Sequence, residues 1–134
     1  MPQGPGPATL RKLERWLVLL ISLHTFAVGA GLFFVPTWAL SFGGWETIPP
    51  PFFPRQAGIF HFILGMGYLV ELRKLGTVSL LVTAKTFAVF FLLGTAVFGG
   101  APWFIPFAGV IDGLMALAAL VMHRKVEQAG EAAG

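Results

Sequence analysis

Apolar residues run along this chain in four long blocks, each too continuous for a strand. From Trp16 to Trp45 no residue carries a formal charge. A helix needs about 20 apolar residues to cross a hydrocarbon core of about 30 Å. The first block supplies one such span over residues 16–35, ended by Pro36. Further spans are predicted over 54–72, 76–98 and 103–122. Barrel strands would alternate apolar and polar positions over about ten residues, and these blocks do not alternate. The stretch TWALSFGGWETIPPPFFP after the first span holds two tryptophans, a Gly pair and four prolines. Proline removes a backbone donor and clashes inside a helix, so this stretch predicts a loop with room for one interfacial helical turn. GGAPW predicts a short turn before the fourth span. Pro102 suits a helix start there, and Pro106 still falls in the first turn or so.

The expected fold is all-α, a polytopic transmembrane four-helix bundle. Residues 1–15 read as a flexible basic N-terminal segment, 16–122 as a single four-span unit, and 123–134 as a cytoplasmic tail that frays along VEQAGEAAG. MPQGPGPAT is too polar and too rich in Pro and Gly for a signal-peptide n-region.

Composition agrees with this class. Of 134 residues, 56% are hydrophobic and 11% charged, with a mean hydropathy of +0.79. Soluble domains carry about a quarter charged residues. The same figures exclude a disordered chain. There is no cysteine, which excludes disulfides, thiolate metal sites and a cysteine nucleophile.

Charge then orients the spans. Arg11, Lys12 and Arg15 flank the first, Arg73 and Lys74 lie between the second and third, and Arg124 and Lys125 follow the fourth. Arg55 alone lies on the opposite side. Seven against one is a strong positive-inside bias, which places both termini in the cytoplasm. Trp16 is expected at one interface, and Trp38, Trp45 and Trp103 at the other. Tyr68 is expected as an interface anchor. The basic residues form no stripe with interleaved aromatics, so no nucleic-acid partner is expected.

Each span carries one ionisable residue well inside it: His24, His61, Lys85 and Asp112. At about 1.5 Å rise per residue, their depths from the cytoplasmic boundary are about 13, 18, 16 and 18 Å. All four therefore fall near one plane at mid-bilayer. A Lys or Asp there costs about 2.5–3.5 kcal/mol, so both should face inward and pair. Gly109, Ala116 and Ala119 share a face with Asp112. Gly58, Gly65 and Tyr68 lie on the stripe of Arg55 and His61, while Ala27 and Gly31 share a face with His24. Small residues permit close helix approach.

Lys85 and Asp112 read either as a buried pair that sets helix register or as part of a pocket for a ligand, a proton or a quinone head group. His24 and His61 are candidate ligand-facing groups, with donation to a backbone carbonyl as their plain structural role. The candidate ligand-binding set is His24, His61, Lys85, Asp112 and Arg55, with Arg55 snorkelling to the outer interface. A bis-histidine haem is disfavoured by a height difference of about 5 Å. A metal is disfavoured by the positive charge of Lys85.

RQAGIFHFILGMGYL, VTAKTFAVFFLLG and AGVIDGLMALAAL resemble the DoxX-like group of small four-helix bacterial membrane proteins. The likeness covers residues 55–122. It lies in an Arg-x-x-Gly start to the second helix and in charged residues inside the later helices. The resemblance implies a multi-pass protein of the bacterial cytoplasmic membrane. Named members of the wider group are linked to a thiosulfate:quinone oxidoreductase and to membrane redox or oxidative-stress complexes. The proline-rich first loop and the two histidines match no motif of that group.

Three functional readings follow. The first is a protein that holds a quinone or lipid, or serves as an accessory subunit of a membrane redox complex. The second is a small enzyme using Asp112, Lys85 and a histidine for acid–base chemistry on a lipid-soluble substrate. The third is a dimeric proton or ion transporter. Membrane lipids are the expected partners, with a homo-oligomer or a larger complex left open by the Gly and Ala faces.

Overall fold

The computed structural model describes residues 5–132. It consists of α1 (Pro7–Phe34), α2 (Pro36–Phe42), α3 (Phe52–Leu75), α4 (Ser79–Gly99) and α5 (Phe104–Glu131). No strand occurs among the described residues. The predicted all-α class is therefore observed.

The helix ends follow from local chemistry. A residue before proline is pushed out of the α region, and Val35, with φ −130° and ψ 53°, breaks α1 from α2 just before Pro36. Pro36 then opens α2, where its missing N–H costs nothing. Gly76 ends α3 in the left-handed region at φ 66°, and its N–H bonds the Leu72 carbonyl. Arg73 and Lys74 in that last turn complement the helix dipole. The start of α4 takes its cap from a distant residue. Both carboxylate oxygens of Glu71 accept the Leu80 N–H at 2.9 Å.

The four long helices associate as two pairs. α1 lies along α3, α4 lies along α5, and the pairs meet mainly through α1 and α5. Glycines allow the close crossings. A Cβ on Gly58 would sit 2.7 Å from the Gly29 carbonyl oxygen, and one on Gly29 would sit 2.9 Å from that of Gly58. Gly65 leaves room for the Phe26 ring, and Gly109 for Leu93. The expected packing roles of Gly58, Gly65, Gly109, Ala116 and Ala119 match their burial. On α1 the buried seam is Val18, Ile21, Ser22, Thr25 and Gly29. Ala27 is exposed, so the close-approach glycine of α1 is Gly29 and not Gly31.

Tyr68 corrects another expectation. It is no interface anchor. It is 2% exposed, in a core with Val18, Ile21, Val78, Leu81 and Ala119.

The helices also reach further than the apolar blocks. α1 begins at Pro7 rather than at residue 16, and α5 continues through Glu131 rather than fraying after Met122. The two extensions pack together. Leu10 and Val126 are buried there, and His123 Nδ1 donates to Glu14 Oε1 at 2.6 Å. Residues 1–4 and 133–134 of the expected end segments lie outside the described residues.

Large apolar side chains cover the outside. On α4, Phe87, Phe90, Phe91, Val97 and Phe98 are all more than 70% exposed. A soluble protein rarely shows so large a continuous apolar surface. By length and composition α1, α4 and α5 can each cross a membrane, and three such helices point to a membrane protein. α3 falls short of that standard, contrary to the four spans read from sequence. It carries Arg55 and His61 in its first half and Glu71, Arg73 and Lys74 at its end.

Candidate functional site

The first element of the site is an ion pair between α4 and α5. The buried residues of α4 are Leu81 and Lys85, one helical turn apart, so the lysine is carried on the inward stripe. Asp112 sits on α5 three residues after the buried Gly109 and four before the buried Ala116. Lys85 Nζ donates to Asp112 Oδ1 at 2.5 Å, with the two side chains 7% and 15% exposed. An unpaired charge at such a position would cost several kcal/mol, roughly 3–5 by analogy with broken buried pairs. An ammonium has three donors, and one is used here.

The other pair of helices brings the histidines. His61 Nδ1 lies 2.7 Å from the Ala57 carbonyl, one turn earlier on α3. A carbonyl only accepts, so Nδ1 carries the proton and Nε2, on the far edge of the ring, is the acceptor of the neutral imidazole. His24 is more exposed than His61 and stands at the flank of the α1 seam. Thr25 beside it is buried and donates to the Ile21 carbonyl at 2.9 Å, which satisfies its hydroxyl within the helix.

His24, His61, Lys85 and Asp112 all line one cavity of about 340 Å³. That volume lies within the range of about 300–1,000 Å³ typical of small-molecule sites. The four ionisable residues form its polar end. The remaining wall is almost wholly apolar: Val28 and Leu32 from α1, Leu92 from α4, and Phe104, Ala108 and Ile111 from α5. From Asp112 to Phe104 is eight residues, so the cavity extends about 12 Å along α5.

Sequence reasoning missed the far end of this cavity. Trp45 and Pro49, from the segment between α2 and α3, form its roof with Leu40 and Phe53. Two glycines fold that segment back. Gly44 has φ 91°, and Gly43 takes the Trp45 ring where a Cβ would stand. Trp103 holds the segment to α5: its indole N–H donates to the Phe42 carbonyl at 3.2 Å. Its ring meets Phe42 edge-on, and Phe42 stacks on Trp38. The aromatic and proline content of this stretch was visible in sequence, but its fold-back onto the cavity was not.

Arg55 behaves differently from the other four candidates. It is exposed in the first turn of α3 and lies outside the cavity wall, although its neighbours Pro54 and Ala57 belong to that wall. Helical geometry turns it away from them. Among the described residues no three His, Asp or Glu side chains converge as a metal site.

What the arrangement can do chemically is limited and specific. It can receive an elongated apolar molecule and meet its polar head with an imidazole acceptor, an ammonium donor and a carboxylate. Comparison with family models, curated proteins and solved structures finds no match to this chain.

Proposed function

We propose that this chain is a four-span membrane protein that holds a lipid-soluble ligand, a quinone or a lipid, in the cavity between its helices. The observation that carries the reading is the convergence of His24, His61, Lys85 and Asp112, one from each long helix, at one end of an apolar cavity. A quinone has the matching form, with oxygens at one end and an apolar tail. Its carbonyl oxygen would accept from Lys85 Nζ, and in the reduced form its hydroxyl would donate to His61 Nε2.

Four spans require α3 to cross as well. Its polar residues do not forbid this, because Tyr68 and Glu71 are buried and the exposed Arg55, Arg73 and Lys74 lie near the two helix ends. Interrupted only by the exposed Arg55 and Gln56 near the helix start, where an arginine can snorkel to the interface, exposed apolar residues run from Phe52 through Ile59, Ile63 and Met66 to Val70. That distance is about 27 Å, close to the thickness of about 30 Å that must be covered. With four spans, the charge bias puts both termini in the cytoplasm. A bacterial inner-membrane location and a role as accessory subunit of a redox complex rest on the DoxX-like residue pattern. An acid–base enzyme is the second reading, favoured by the approach of a carboxylate, an ammonium and a free imidazole nitrogen to one cavity.

Mass spectrometry and an optical spectrum of protein purified in mild detergent test the first reading. A quinone or other lipid-soluble molecule should co-purify. His61→Ala should lower its retention roughly tenfold or more, the worth of one strong hydrogen bond. A ligand-free wild type, or retention unchanged from wild type in both His61→Ala and His24→Ala, would remove the cavity's assigned role.

A further inference from the structure

A second cavity, of about 450 Å³, lies between α1 and α3 at their basic ends, away from the four ionisable groups. We propose that it binds the head group of an anionic phospholipid. Lys12 and Arg15 of α1 and Arg73 of α3 line it together. All three are exposed, and none of them takes part in an ion pair among the described residues. The nearby acids are engaged elsewhere. Glu14 accepts from His123, and Glu71 caps α4 through the Leu80 N–H. Neither carboxylate lines the cavity. Three cations thus face one space with no internal counter-charge.

The same space has an apolar half. Leu19 lies four residues beyond Arg15 on α1, and Leu69 four before Arg73 on α3. The two helices run in opposite directions, so both grade from cation to leucine the same way, over about 6 Å. Trp16 stands at the boundary, where an indole suits the membrane interface. A phospholipid has this gradient: a phosphate for the cations and an acyl chain for the leucines. Basic pockets between spanning helices favour anionic head groups. Phosphatidylcholine fits less well, because its own ammonium would meet three like charges. The site needs the chain to sit in a bilayer. It does not need the central cavity to be filled.

The test is lipid retention by the intact chain, read by native mass spectrometry after extraction from mixed phosphatidylglycerol/phosphatidylcholine membranes. Wild type should retain phosphatidylglycerol in preference to phosphatidylcholine. The triple variant Lys12→Gln/Arg15→Gln/Arg73→Gln should lose about tenfold or more of that preference. Arg124→Gln/Lys125→Gln, which removes two cations outside this cavity, should keep it. Equal loss in both variants would reduce the effect to general surface charge and overturn the site. Retention unchanged in the triple variant, or no lipid preference in wild type, would overturn it too. Inorganic phosphate at millimolar concentration should not compete. If it displaces the lipid fully, the cavity is a phosphate site and the lipid assignment fails. The substituted residues are exposed, and helical content by circular dichroism checks that the fold is kept. Chain released from membranes by alkaline carbonate would overturn this site and the membrane reading together. Loss of lipid preference in carbonate-resistant wild type would overturn this site alone.

Discussion

Lys85 and Asp112 show how much depends on a pair rather than on either member. Each alone is a charge in an apolar surrounding, and their contact at 2.5 Å makes both tolerable. Lys85→Met should destabilise the protein by about 3–5 kcal/mol, because it strands a buried carboxylate. Lys85→Met/Asp112→Leu should recover most of that loss, since a well-packed apolar pair often matches a buried ion pair. Thermal unfolding in detergent, followed by circular dichroism, measures both. A double variant as unstable as the single one would mean the pair contributes more than mutual neutralisation. The pairing itself was legible in sequence, since two opposite charges at similar depth have few other partners. The partner of His61 was less so. The Ala57 carbonyl was one of several groups its ring could have reached.

Among elements, the α1–α3 crossing is the tightest contact and depends on backbone approaching backbone. Gly58→Ala would bring a Cβ to 2.7 Å from the Gly29 carbonyl oxygen, which no side-chain rotation relieves. A loss of about 1–3 kcal/mol is expected, as for other overpacked sites. Gly94→Ala is the control. A Cβ there meets nothing within 4 Å, and alanine is the better helix former by up to about 1 kcal/mol. Its unfolding midpoint should stay or rise. Equal destabilisation by both variants would show that the crossing is not what limits stability. The spacing of Gly58 and Gly65 with Tyr68 exposed this seam on α3. On α1 the face of His24, Ala27 and Gly31 misled, because glycine and alanine occur on several faces of that helix and only contact with α3 selects Gly29.

For the whole molecule, the question is whether α3 crosses. An even number of spans puts both ends on one side of the membrane, and three spans put them on opposite sides. The chain has no cysteine, so single cysteines introduced at Thr9, Thr47 and Gln128 report without background. With four spans, a membrane-impermeant maleimide should label Thr9→Cys and Gln128→Cys from the same side and Thr47→Cys from the other. Labelling of Thr9→Cys and Gln128→Cys from opposite sides would remove α3 from the membrane and with it the four-span reading.

Hydropathy and helix-ending residues, properties of adjacent positions, were enough to determine helical class and most helix boundaries. They also placed His24, His61, Lys85 and Asp112 at similar depths, because rise per residue is constant along a helix. Which way those residues face depends on contacts between helices distant in sequence, and only the tertiary structure decided it. It set Tyr68 in the core, turned Arg55 out of the cavity and paired Glu14 with His123 across 109 positions. It also laid Trp45 and Pro49 over the cavity, which no local pattern specifies. A linear sequence carries the depth of a group along its own helix, whereas a cavity exists only between helices, where packing leaves space unfilled.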